Sequence, residues 1–158
     1  MFQKQKRTSL FSVVFLFTAI MVSSFIASII QSSGGRVDVN TIKFPMQNGQ
    51  LLVADLFKPK NATKETPAPL VIVIPGFQRS KEALSNISIE LSRRGIVVIA
   101  IDPYAQGFSS SSLSKTSASS EGYGMYAVVD YIYNTENLNY IKKDKISVTG
   151  HSAGGLAA

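Results

Sequence analysis

Leu70-Val71-Ile72-Val73-Ile74 is an unbroken apolar run, four of its five residues β-branched, closed on either side by Pro69 and Pro75-Gly76. A strand with no polar face is buried on both sides. It therefore belongs inside a largely parallel sheet covered by helices, not at a solvent-facing sheet surface. Two further segments repeat the signal. One is Ile96–Ile101, the other the shorter Lys145–Thr149 with Ile146-Ser147-Val148 as its core. A helix is predicted between the first two. Ser80 caps it, Glu82 sits in its first turn, and Leu84, Ile87 and Leu91 share a face. Arg93 and Arg94 lie in its last turn and Gly95 stops it. A second helical period runs from Glu121 to Asn134 through Met125, Val129, Ile132 and Tyr133. Strands alternating with helices imply an α/β fold with right-handed crossovers.

Two earlier strands, Val37–Phe44 and Leu51–Phe57, flank Asn48-Gly49, a strong turn signal, and predict an antiparallel hairpin leading into the sheet. Pro59 to Pro69 reads as a loop. Asp102 to Ser120 is polar, and eight of the twelve residues from Ser109 to Ser120 are serine, a low-complexity surface loop.

Ahead of this domain, Leu10–Ile30 holds 21 residues without a charge. As a helix it is roughly 31 Å long, about the thickness of a bilayer core. Lys4, Lys6 and Arg7 precede it and favour a cytoplasmic N-terminus. The expected layout is a basic cytoplasmic segment (1–9), a transmembrane signal-anchor (10–30), a linker (31–36) and an extracytoplasmic domain (37–158). The alternative is a cleaved secretory signal, with small residues at Val22-Ser23-Ser24 or Ser32-Ser33-Gly34 as the cleavage site, and a secreted product. The apolar run exceeds a signal's usual core, which favours the anchor.

Composition removes several chemistries. With no cysteine there is no disulfide framework, thiolate metal site or cysteine nucleophile, and a single histidine, His151, rules out a multi-histidine metal site. The formal charge of +6 includes three charges ahead of the apolar run. The densest later group, Lys142, Lys143 and Lys145, is interrupted by Asp144, which is not the broad basic stripe that nucleic acid requires. Neither a metal nor a nucleic-acid partner is expected.

The chain then reads Gly150-His151-Ser152-Ala153-Gly154-Gly155 after the last buried strand. This is the Gly-x-Ser-x-Gly pattern in the setting that a nucleophile elbow needs, a strand before it and a helix start after it. A sharp turn lifts the serine hydroxyl above the sheet edge. Gly150 and Gly154 let the neighbouring backbones close in, and the following helix aims its first amides at developing negative charge. Ser152 is the candidate nucleophile. An oxyanion hole needs two backbone N–H donors. One is Ala153; the other lies in the loop Pro75–Ser80 after the first parallel strand, with Phe77 the best candidate and Gln78 the next, because Pro75 has no N–H.

Three segments in this order carry a family likeness: Ile74-Pro75-Gly76-Phe77, Asp102-Pro103-Tyr104-Ala105-Gln106-Gly107-Phe108-Ser109, and Gly150-His151-Ser152-Ala153-Gly154-Gly155. Over residues 37–158 the chain resembles the N-terminal portion of the α/β-hydrolase superfamily. It is similar to esterases of the dienelactone-hydrolase, cutinase-like and acyl-peptidase branches. One departure is Pro75, where many relatives carry His. The resemblance implies an α/β-hydrolase fold and a serine hydrolase for carboxylic esters or related acyl substrates, with no cofactor. It also implies a loop at 102–109 bordering the site, with Tyr104 lining a substrate pocket.

The family's triad runs Ser, then Asp or Glu, then His. After Ser152 this sequence has neither an acid nor a histidine. His151 adjoins the nucleophile and belongs to the packing of the elbow. Asp102 precedes the serine, and Asp130 sits in a helix. The expectation is a truncated hydrolase, inactive alone, whose triad acid and base lie beyond residue 158 and whose last parallel strand is an open edge. Two rival readings are a non-catalytic membrane-anchored scaffold that keeps the half-fold, and a serine peptidase of the same superfamily. Asn61-Ala62-Thr63 and Asn86-Ile87-Ser88 match glycosylation sequons, relevant only in a eukaryotic secretory host.

Overall fold

The computed structural model describes residues 2–46, 50–110 and 122–158, with side chains from residue 10 onward. Helix α1 (Phe2–Gln31) precedes the hairpin β1 (Val37–Pro45) and β2 (Leu51–Pro59). There follow β3 (Ala68–Ile74), a 3₁₀ turn (Lys81–Leu84), α2 (Ser85–Arg93) and β4 (Val97–Ile101). The chain closes with α3 (Met125–Asn134), β5 (Ile141–Gly150) and the short α4 (Ala153–Ala157). The sequence-predicted turn at Asn48-Gly49 and most of the serine-rich stretch lie outside the described residues.

The five strands form one sheet in the order β1-β2-β4-β3-β5. β1 and β2 pair antiparallel, Val37 opposite Pro59 and Pro45 opposite Leu51. β2 meets β4 antiparallel, while β3 pairs parallel with both β4 and β5. This is the hairpin leading into a parallel sheet that the hydrophobic pattern predicts, with β5 at the sheet edge.

Alternation along β3 and β4 sorts the core into two layers. Leu70, Ile72, Ile74, Val97, Ile99 and Ile101 pack with Met125, Val128 and Ile132 of α3. Val73, Val98 and Ala100 face the other way, with Leu84, Ile89 and Leu91 of the α2 region against them. Every residue of β4 is buried. Helices on both faces explain why these strands carry no polar side.

Three local expectations change. Ile87 is exposed, and Ser88 and Ser92 are buried in its place on the inner face of α2. Their hydroxyls bond back to the Leu84 and Ile89 carbonyls at 3.2 and 2.9 Å, so small polar side chains let the helix approach the sheet without orphaned donors. Ser80 makes no side-chain cap; α2 is entered through the 3₁₀ turn. β5 starts at Ile141 rather than Lys145, because a bulge sets Ala68 opposite Ile141 and Leu70 opposite Ile146. Its first half is lysine-rich and reads from sequence as loop.

The apolar part of α1, Leu10–Gln31, has a mean hydropathy of 2.5 over 18 residues and is long enough to cross a membrane; that window is unburied. After it the chain turns tightly through Ser33, Gly34 and Gly35, all at positive φ, and enters β1.

Candidate active site

The strand order reverses at β3: the connection through α2 goes to β4 on one side, and the connection through α3 goes to β5 on the other. The loops leaving the carboxyl ends of β3 and β5 therefore diverge and leave a crevice. Ligands of open α/β sheets occupy this place.

Ser152 stands at this crevice, between the end of β5 and the start of α4, with φ 55° and ψ −120°. An L-residue avoids this backbone region, at a cost of order 1–3 kcal/mol, and holds it only when its surroundings enforce it. The enforcing contacts are specific. The His151 N–H donates to the Ile74 carbonyl at 3.2 Å, and the Ser152 carbonyl accepts from Gly155 and Leu156 at 2.9 and 3.2 Å. A Cβ on Gly150 would strike the Gly154 carbonyl group, and one on Gly154 would strike the Ile74 and Pro75 carbonyl oxygens. Ser152 itself is exposed.

The β3 loop rests on this bend. A Cβ on Gly76 would lie 3.3 Å from Ser152 Cβ and 3.3 Å from His151 Nδ1. The imidazole is thus turned to Gly76 in the neighbouring loop. Gln78 has φ 54°, and the Arg79 N–H is shared between the Gly76 carbonyl (3.2 Å) and Gln106 Oε1 (2.9 Å). Among the described residues, the amides of Phe77, Gln78 and Ala153 have no acceptor. Phe77 is 68 % exposed.

Asp102, at the end of β4, is wholly buried and ties the loops together. Its carboxylate accepts the Lys81 N–H at 2.7 Å and the Phe108 N–H at 3.0 Å, and its carbonyl accepts Ser109 Oγ at 2.6 Å. The first of these bonds satisfies the amide at the start of the 3₁₀ turn, the task expected of Ser80. Lys81, 5 % exposed, places its ammonium 3.5 Å from Asp102, 2.6 Å from Glu82 and 3.9 Å from Asp55. It lies 5.2 Å from the centre of the Phe108 ring.

Burial pulls the Lys81 pKa down, but the Glu82 hydrogen bond and the charges of Asp102 and Asp55 outweigh it, and the net shift is upward. The Lys81 hydrogen bond, then that from Ser80, brings Glu82 down to about 2. Burial raises Asp55, against the opposing pull of the Thr41 hydroxyl and Lys81. In the sequence Asp102 stands before the serine, outside the order of a triad acid, and Lys81 belongs to no motif. The available signal was an acid at the end of a fully apolar strand, five residues before Gly107, where any side chain would collide with that carboxylate.

Tyr104 is buried, and its N–H donates to the Tyr123 carbonyl at 3.2 Å. With Phe77, Gln78, Ser80, Gln106 and Tyr123 it lines a hollow of about 530 Å³. Ser152 is not among the lining residues; the hollow adjoins the Phe77 side of the bend. Asp130 lies elsewhere, on exposed α3 surface, accepting from Asn134 Nδ2 at 3.0 Å.

A family model described as the alpha/beta hydrolase fold matches residues 69–158, more than half of the chain. The chain belongs to the alpha/beta hydrolase family. Its mixed sheet and flanking helices are the N-terminal part of the alpha/beta hydrolase fold. Among solved structures, Est1E from Butyrivibrio proteoclasticus with ferulic acid bound is 27% identical, with a TM-score of 0.60 over 73% of this chain and 44% of that one. The esterase Pf2001 of Pyrococcus furiosus gives 20% identity and a TM-score of 0.61, covering 80% of this chain and 47% of the other. Acetyl xylan esterase 1 from Thermoanaerobacterium sp. gives 18% and 0.60, covering 77% and 43%. The last two likenesses bear on the fold alone. The chain spans less than half the length of these three structures. No curated protein matches the sequence.

Proposed function

We propose that the chain carries the nucleophile half of a membrane-anchored serine hydrolase acting on carboxylic esters or related acyl compounds. The observation that carries this reading is Ser152 held at φ 55° and ψ −120° at the crevice, with the Gly76 loop packed against it. Ser152 Oγ attacks the substrate carbonyl carbon, and the carbonyl oxygen takes up negative charge. The amides of Phe77 and Ala153, which have no acceptor among the described residues, donate to that oxygen. Collapse of the tetrahedral intermediate expels the alcohol and leaves an acyl-serine, which water then cleaves. The ferulic acid bound to Est1E is a carboxylic acid, the kind of product that hydrolysis of a carboxylic ester leaves, and supports this substrate class.

The hydroxyl proton needs a base. His151 is the only histidine in the sequence, and its ring is turned to Gly76. In this reading the triad base and its acid partner are not among these 158 residues. Tyr104 borders the acyl pocket in this reading. The apolar stretch of α1 anchors the domain, with residues 37–158 outside the cytoplasm.

Treatment of the detergent-solubilised chain with an aryl acetate, followed by peptide mapping, tests the proposal. Acetyl on Ser152, absent from Ser152→Ala and accumulating without steady ester turnover, is expected. Acetylation that ignores the Ser152→Ala change would refute the nucleophile assignment. Sustained turnover would refute the need for an external base.

A further inference from the structure

We propose that the domain docks on an anionic bilayer surface through a basic hollow beside the exit of α1, with lipid phosphodiester headgroups as its ligand; this rests on reading α1 as a membrane span. The hollow measures about 510 Å³, and its lining includes Ser33, Arg36, Lys60, Asn61, Arg93 and Arg94. Four of these six are cations. Glu90, the one carboxylate ion-paired to them among the described residues, binds Arg93 at 3.5 Å and Arg94 at 2.8 Å. The hollow therefore keeps a positive balance.

Its depth is fixed by a hydrogen bond. Arg93 Nη2 donates to the carbonyl of Ile30, the last apolar residue of the run, at 3.2 Å. A guanidinium on that carbonyl sits where hydrocarbon gives way to phosphate. The exit turn is also held, with Gly34 N–H on the Ile29 carbonyl at 2.8 Å and Val37 N–H on the Ser32 carbonyl at 2.9 Å. Arg36 Nε bonds the Ser33 carbonyl at 3.1 Å, and the Lys60 N–H bonds the Arg36 carbonyl at 3.0 Å. These bonds keep the hollow within reach of the headgroups, inside the Debye length of about 8 Å at physiological salt.

Docking has a consequence for orientation. The hollow lies at Gly95, before β4 begins, whereas Ser152 follows the carboxyl end of β5. The two occupy opposite edges of the parallel strands. Docking of the basic edge turns the Ser152 edge toward water, so substrates reach it from solution and not from the lipid.

The chain has no cysteine, so Lys64→Cys, at an exposed position three residues after Asn61 of the hollow, gives a single labelling site. The full chain carries a fluorophore there in nanodiscs of phosphatidylcholine, with or without phosphatidylglycerol, and a headgroup spin-labelled lipid serves as quencher. Quenching is expected to rise in anionic discs and to return to the neutral-disc level in high NaCl. Arg94→Gln with Lys60→Gln should cut the docked-to-undocked ratio about 25-fold, near fivefold per charge. Lys145→Gln, at an exposed position of β5, should leave it unchanged. Equal quenching in neutral and anionic discs would overturn the docking while leaving the span intact. Release by inorganic phosphate far below the equivalent NaCl concentration would identify a soluble-phosphate site and overturn the lipid assignment. A chain that does not stay with the discs on size exclusion would remove the membrane reading itself.

Discussion

The Ile74 carbonyl oxygen fills the space that a Cβ on Gly154 would need, and the same oxygen accepts the His151 N–H at 3.2 Å. One atom at the end of β3 thus holds the bend from both sides of Ser152. Gly154→Ala must push this backbone apart. A loss of about 1–3 kcal/mol is expected, the usual range for overpacking, read from denaturant unfolding of the detergent-solubilised chain. Gly155→Ala is the control. Its Cβ would lie 3.4 Å from the Gly150 oxygen, so stability should stay within about 0.5 kcal/mol.

Gly76 tests the coupling between the two loops. Its added Cβ would meet Ser152 Cβ and His151 Nδ1 at 3.3 Å, a contact eased by a shift of a few tenths of an ångström. Gly76→Ala should therefore cost less than about 1 kcal/mol of stability. The shift would move the Phe77 amide relative to Ser152, however, and Ser152 acylation should slow about tenfold or more. Stopped-flow acylation and denaturation on the same sample separate the two effects.

Asp102 and Lys81 form a buried ionic joint between the β3 and β4 loops. Asp102→Ala leaves the Lys81 and Phe108 amides without their acceptor and a buried ammonium with one fewer partner. A loss of about 3–5 kcal/mol is expected. Asp102→Asn keeps one acceptor oxygen but turns a donor toward one of the two N–H groups, and should cost about 1–3 kcal/mol. Equilibrium unfolding distinguishes this ordering from equal effects.

The pH dependence follows from Glu82. Its folded pKa of about 2 lies below the ordinary 4.5, so the unfolded chain binds the proton more tightly. The stabilisation is fully present above pH 4.5 and is lost as pH falls toward 2. The side chain is 57% exposed, so screening should hold the effect below about 1 kcal/mol. The difference in stability between the native chain and Glu82→Gln should be constant at neutral pH and vanish in that acid window.

Much of this arrangement was legible in the residues. The β-branched runs at 70–74 and 96–101 announce strands covered on both faces, and both are found so. The antiparallel pairing of β1 and β2 follows from two strands about a turn signal. What sequence reading missed depends on partners distant in the chain. Ser80 looks like a helix cap, but the cap is supplied by Asp102, twenty-one residues from the Lys81 amide that it accepts. Ile87 falls on the predicted inner face, yet close approach to the sheet selects Ser88 and Ser92 there. The first half of β5 is hidden because Lys142, Lys143 and Lys145 suit an edge strand as well as a loop. At the site, the pattern at 150–154 points to the bend, whereas the Gly76 contact with it is visible only in three dimensions.

Labelling by a fluorophosphonate probe, with peptide mapping by mass spectrometry, examines the central claim most directly. The full chain contains many serines; among the described residues two lie at positive φ, Ser33, which is buried, and Ser152, which is exposed beside the Phe77 and Ala153 amides. With imidazole added as a surrogate base, the account predicts one adduct per chain, on Ser152, accelerated by imidazole and slowed by Gly76→Ala. Adducts scattered over several serines, or a rate that imidazole and Gly76→Ala leave unchanged, would contradict it.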